Sequence, residues 1–130
     1  MQEHERQAKS GKMMSKQEVA KLFEAHRSQW DKIPTLTSLI WEDFPWPMFK
    51  RPNGPDDLTM PAVTAYMLSP IHPQDKGTKD RIKDALRKWH PDRFETSHLP
   101  KVKPDERGKV SDGAGAVVRI LNQLLNMSVL

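Results

Sequence analysis

An all-α domain is what this sequence predicts, because three apolar stripes recur at helical spacing. Val19, Leu22, Phe23, His26, Trp30 and Ile33 mark one face of a first long helix. Ile82, Ala85, Leu86 and Trp89 mark one face of a second, and Val110, Ala114, Val117, Leu121 and Leu124 one face of a third. A chain of 130 residues suits a single small domain, since a core of that size leaves a net stability of about 5–15 kcal/mol after chain entropy.

Residues 1–14 are polar and aperiodic, which predicts a mobile tail. Ser15-Lys16-Gln17-Glu18 has the pattern of a capping box, so order begins there, in a unit of residues 15–58 made of one helix and a Trp/Pro-rich stretch. Pro34 ends that helix. Between Thr35 and Asp57, Trp41, Phe44, Trp46 and Phe49 stand among Pro45, Pro47, Pro52 and Pro55. Such a composition predicts an aromatic, Pro-rich loop, with one short helical turn near Leu36 to Trp41 and a surface turn at Asn53-Gly54-Pro55.

Residues 59–126 form the second predicted unit. Thr59 can cap a short helix that tolerates Pro61 in its first turn and carries Val63, Tyr66 and Met67 on its apolar face, until Ser69-Pro70 ends it. Gly77 and Thr78 lead into a basic helix, which Pro91 stops at Trp89. Glu95 to Pro104 reads as a loop, and the last helix starts near Pro104 or Asp105. Gly113 and Gly115 each cost that helix about 1 kcal/mol against alanine. The cost predicts close backbone approach there, with Trp89 or Phe94 filling the notch.

His90-Pro91-Asp92 is the most informative polar feature. Pro91 disfavours α geometry at His90, and side chains at i and i+2 of an extended segment face the same way. The His90 imidazole and the Asp92 carboxylate are therefore predicted to address one partner together. On the helix before them, Lys79, Lys83 and Arg87 lie roughly a quarter to a third of a turn from the side of Ile82, Leu86 and Trp89. That phase predicts a packed face, with Trp89 in the core, and a free cationic face. Asp84 stands four residues before Lys88 and is its predicted ion-pair partner.

The stretch Ile82 to Phe94, with Leu86, Arg87-Lys88, an aromatic at 89 and then His-Pro-Asp-Arg-Phe, resembles the second helix and loop of DnaJ-type J domains. The tripeptide alone recurs by chance in about one chain of this length in a hundred. The helical phase before it, the aromatic at 89 and the apolar helix after it strengthen the likeness, whose specific part is narrow. Arg87 to Phe94, followed by Gly115 to Asn122, is also similar to a divergent fungal J-like group and to a segment of the NF-kappa-B-inhibitor-like nuclear protein. The resemblance covers roughly Thr59 to Leu125 and implies a J-domain-like antiparallel helix pair. It further implies a co-chaperone that binds a DnaK-type heat-shock chaperone and stimulates its ATP hydrolysis, and no enzymatic activity, metal or cofactor is expected of the chain. His90, Pro91 and Asp92 would carry the signal, with Arg93 where the family usually has lysine. Lys79, Lys83, Arg87 and Lys88 would meet an acidic partner surface. The last helix lacks the family pattern Lys-Phe-x-x-Ile-x-x-Ala-Tyr, which leaves open an adaptor without chaperone activity in a nuclear or RNA-associated complex.

Composition bounds the alternatives. Cysteine is absent, which removes disulfides and Cys-based zinc or iron sites. Lys and Arg outnumber Asp and Glu by 21 to 17, a mild bias toward acidic partners that does not by itself mark a nucleic-acid binder. Direct nucleic-acid binding through Lys79, Lys83, Arg87, Lys101 and Lys103 would show steep salt dependence. Met1 to Arg6 carries acids and no apolar run, so it reads as neither a secretory signal nor a transit peptide. No stretch reaches the apolar length that spans a bilayer, and the expectation is a soluble cytoplasmic or nuclear protein. No nucleophile is set near His90 and Asp92 for acid–base chemistry, and His72, Asp92 and His98 match no metal-ligand pattern. The glycines of the last helix lack the strand and lysine of a phosphate loop.

Overall fold

The computed structural model describes residues 14–127, and among them the regular structure is helical. The predicted tail falls on residues 1–13, outside the described residues, apart from Met14, which packs half-buried against the core. Helix α1 (Lys16–Lys32) starts on the capping box: Ser15 Oγ accepts from the Glu18 N–H at 3.1 Å and Glu18 Oε1 from the Ser15 N–H at 2.8 Å. Such a cap contributes about 0.5–2 kcal/mol. A 3-10 turn at Ile33–Thr35 follows, since Pro34 has no N–H to continue the helix. Helix α2 (Met60–Met67) is capped by Thr59, whose hydroxyl accepts from the Ala62 N–H. The basic helix is α3 (Thr78–Trp89), a short α4 (Pro91–Ser97) comes next, and α5 (Pro104–Asn126) is the longest.

Two local expectations are corrected. Glu95 to Pro104 is not a loop throughout: α4 runs to Ser97 and a 3-10 turn covers Leu99–Lys101. Proline is the cause, because its fixed φ and missing N–H suit the first position of a helix, so the residue that stops α3 also starts α4. The short turn expected near Leu36 to Trp41 forms instead at Trp41–Asp43. Leu39 is held extended in a parallel bridge with Val102: its N–H donates to the Lys101 carbonyl at 2.8 Å, and its own carbonyl accepts from the Lys103 N–H at 3.0 Å.

One core joins both halves of the chain. Helix α5 lays Val110, Ala114, Val117, Leu121 and Leu124 into it and makes the largest helix–helix interface with α3. The Trp/Pro-rich stretch is core as well. Trp41 and Trp46 are buried, and their indole N–H groups donate to the carbonyls of Pro52 (2.8 Å) and Trp41 (3.0 Å). Side-chain donors of this kind satisfy backbone that has no regular ladder. Gly113 carries the predicted close approach, but Trp89 and Phe94 do not fill the notch. A Cβ at Gly113 would stand 2.8 Å from ring atoms of both Trp41 and Trp46. Trp89 and Phe94 lie beside Ala114 and Gly115, where a Cβ added to Gly115 would meet only Arg119, at 3.6 Å. No helix of the described residues is long and apolar enough to cross a membrane.

Candidate functional site

Helix α3 separates its faces as the helical phase predicts. Ile82 and Trp89 are 0 % and 2 % exposed, whereas Lys79, Lys83, Arg87 and Lys88 all face solvent. Not all four cations are free. Asp84 binds both Lys76 and Arg87, and its carboxyl pKa is lowered by them, most by the hydrogen bond from Lys76. Lys88 does not pair with Asp84, the partner its spacing predicts. Its Nζ lies 5.7 Å from the ring centroid of Trp30 on α1, a cation–π placement. Lys79 and Lys83 have no acidic partner among the described residues.

The corner after α3 is held by two aromatic anchors. Trp89, the last residue of α3, stacks on Trp46 with centroids 4.9 Å apart and on Phe94 at 5.5 Å, and it meets Trp30 edge to face at 5.0 Å. Phe94 is 1 % exposed. Between these anchors, His90, Pro91, Asp92 and Arg93 are all exposed.

His90 leaves the helix at φ −56° and ψ 134°, as the proline after it requires. From Pro91 onward the chain is helical, so His90 and Asp92 are not alternate residues of an extended segment, and that part of the expectation is corrected. His90 is instead the N-cap of α4, its Nδ1 accepting from the Asp92 N–H at 3.2 Å. A neutral imidazole that accepts at Nδ1 carries its hydrogen on Nε2, so the remaining ring nitrogen is a donor. Asp92 sits in the first turn of α4, where its charge suits the helix dipole. Its carboxylate has no ion-pair partner among the described residues. The corner therefore offers one ring N–H, one free carboxylate and the guanidinium of Arg93, on backbone pinned at both ends.

Three other histidines are turned inward. His26 Nδ1 lies 2.8 Å from the Tyr66 hydroxyl, and burial, helped by the charge of Arg51, lowers its pKa to about 4. Burial raises the Tyr66 phenol pKa. His72 stacks on Phe23 with centroids 3.8 Å apart, its Nε2 is 2.7 Å from the Tyr66 carbonyl oxygen, and burial lowers its pKa. His98 packs edge-on to Phe94 at 5.2 Å, and burial, then the charges of Lys101 and Arg93, lower its pKa. His72, Asp92 and His98 form no metal-ligand group, nor does any set of three such residues among those described. Sequence reasoning misses Trp30 and Trp46 as supports of the corner, because no local pattern says which aromatic rings will meet.

No family model, curated protein or solved structure matches this chain.

Proposed function

We propose that the chain is a J-like domain that docks a DnaK-type heat-shock chaperone through α3 and the His90-Pro91-Asp92 corner and stimulates its ATP hydrolysis. The observation that carries this reading is the burial of Trp89 and Phe94 on either side of four exposed residues, beside the unpaired Lys79 and Lys83. The lysines favour encounter with an acidic surface. Asp92 can accept a bidentate hydrogen bond from a partner arginine, which adds geometric selectivity. Hydrolysis rises to the extent that the corner binds the hydrolysis-competent state of the partner more tightly than its other state.

One observation favours a second reading, a J-like adaptor without chaperone activity in a nuclear or RNA-associated complex. Asp84 keeps Arg87 engaged on its own helix, so the cationic face open to a chaperone is narrower than the charge count suggests. The deciding experiment is single-turnover ATP hydrolysis by a purified DnaK-type chaperone, with the wild-type chain and with His90→Gln and Asp92→Asn, each checked by circular dichroism for an intact fold. Stimulation by the wild type that both substitutions remove is the expected result. No stimulation by the wild type, or equal stimulation by all three, sinks the chaperone reading. The adaptor reading then predicts nuclear factors, and no heat-shock chaperone, in a pull-down from cell extract.

A further inference from the structure

Two hollows flank Trp30 where α1 meets α3 and α4. The first, of about 380 Å³, lies over Phe23, Pro45, Pro47 and Trp89, and the second, of about 660 Å³, lies between Pro34, His98 and Lys101. Arg27, Trp30 and Lys88 line both, so the two form one trough with Trp30 at its waist. The polar groups on the floor of the first hollow already have partners: His26 binds the Tyr66 hydroxyl and His72 the Tyr66 carbonyl. With those groups satisfied, the floor suits apolar matter.

The rim is cationic. Arg27 and Lys88 stand at the waist and Arg93 and Lys101 beyond it, with Asp31 the sole acid lining the second hollow. In the first hollow Asp84 is neutralised by Lys76 and Arg87, which leaves Asp75. Lys88, Arg93 and Lys101 have no acidic partner among the described residues, although Lys101 Nζ donates to the Ile33 carbonyl at 2.9 Å, and Arg27 meets only the exposed Glu24, at 3.8 Å. Trp30 lies beneath Lys88 and meets Trp89 edge to face. Its ring is thus occupied from two directions, which argues against a stacked nucleic-acid base.

We propose that this trough docks an acidic peptide segment bearing one apolar side chain. The apolar side chain enters the hollow over Phe23 and Trp89, and the flanking carboxylates lie on Arg27, Lys88, Arg93 and Lys101. The surface goes beyond chaperone docking, because Arg27 and Trp30 come from α1, which lies outside the J-like stretch.

The probe is a labelled peptide with a central Phe flanked on both sides by Asp and Glu, titrated with the full chain and followed by fluorescence anisotropy. Saturable binding is expected, and replacing the central Phe with Ala, or Arg27→Glu in the protein, weakens it by about tenfold. Ala85→Met, at the half-buried wall of the first hollow, weakens it similarly by filling the space. Lys79→Glu, which lines neither hollow, changes it by no more than about twofold. Chaperone stimulation shows the opposite pattern, falling with Lys79→Glu and holding with Arg27→Glu, so the two readings fail separately. The proposal is overturned by any of three results in chains that circular dichroism shows to be folded. These are no binding, binding indifferent to both the central Phe and Ala85→Met, or tighter binding of single-stranded polyuridylate than of the peptide at the same salt.

Discussion

The rings of Trp89 and Phe94 stack with centroids 5.5 Å apart and planes 18° from parallel, and the exposed turn of His90 to Arg93 lies between them in sequence. Each ring is fixed further from outside the turn, Trp89 by Trp46 and Phe94 by Phe44, whose centroid is 5.2 Å away. The turn is thus closed from within the core, and its polar side chains need no internal contacts beyond the His90 cap to hold their places.

Removing one anchor tests this arrangement. Phe94→Ala should cost about 3–5 kcal/mol in urea denaturation. At temperatures where the variant is still folded it should also lose chaperone stimulation, although His90 and Asp92 are untouched. Phe94→Leu should retain most of both. Full stimulation by folded Phe94→Ala would separate the anchor from the function of the turn.

Two glycines of α5 should respond in opposite directions to alanine. At Gly113 the new Cβ would collide with Trp41 and Trp46, and overpacking of this kind costs about 1–3 kcal/mol. At Gly108 nothing lies within 4 Å of the added atom, so the helix gains about 1 kcal/mol from the better helix former. Melting temperatures of the two variants, one below and one above wild type, are the check.

Stability should fall in mild acid. His26 titrates at about 4 in the folded chain against 6.5 ordinarily. Between those values the unfolded chain holds a proton that the native state does not, so stability rises with pH across the window. The contribution is fully present above about 6.5 and is lost as pH falls toward about 4, amounting to about 2–4 kcal/mol. His72 and His98 are shifted in the same direction and steepen the slope. Urea midpoints measured from neutral to mildly acidic pH should decline in the wild type and decline less in His26→Gln. Parallel curves for the two proteins would contradict this assignment.

Asp84→Asn should change stability by no more than about 0.5 kcal/mol, since its ion pairs are solvent-exposed. It also frees Lys76 and Arg87. Association with an acidic partner should therefore speed up at low salt, and the gain should vanish as ionic strength rises. Stopped-flow association at two salt concentrations measures it.

Much of the fold is legible in the sequence because its punctuation is local. Ser15 and Glu18, Pro34, Thr59, Ser69-Pro70, Trp89 and Pro104 mark helix ends that the structure places within a residue or two. The burial of Trp89 follows from phase alone. The exposure of Lys79 and Lys83 follows from the same phase. What the chain does not announce is pairing across distance. That Gly113 receives Trp41 and Trp46, that Leu39 bridges Val102, and that Lys88 covers Trp30 all depend on closures between segments with no shared local pattern. Pro91 illustrates a different loss, because the rule that proline stops a helix and the rule that it starts one both apply at the same position, and only the structure shows that both operate.

The backbone N–H of Trp41 donates to Glu106 Oε1 at 2.8 Å, and the indoles of Trp41 and Trp46 rest against Gly113. During translation, the segment holding these two tryptophans leaves the ribosome well before the helix that shelters it has been made. At ~5–20 residues per second the delay between Trp46 and Gly113 is roughly 3–13 s. For that interval the two indoles lack the helix that covers them in the folded chain. Vectorial synthesis thus separates two indoles from their cover until the ribosome catches up.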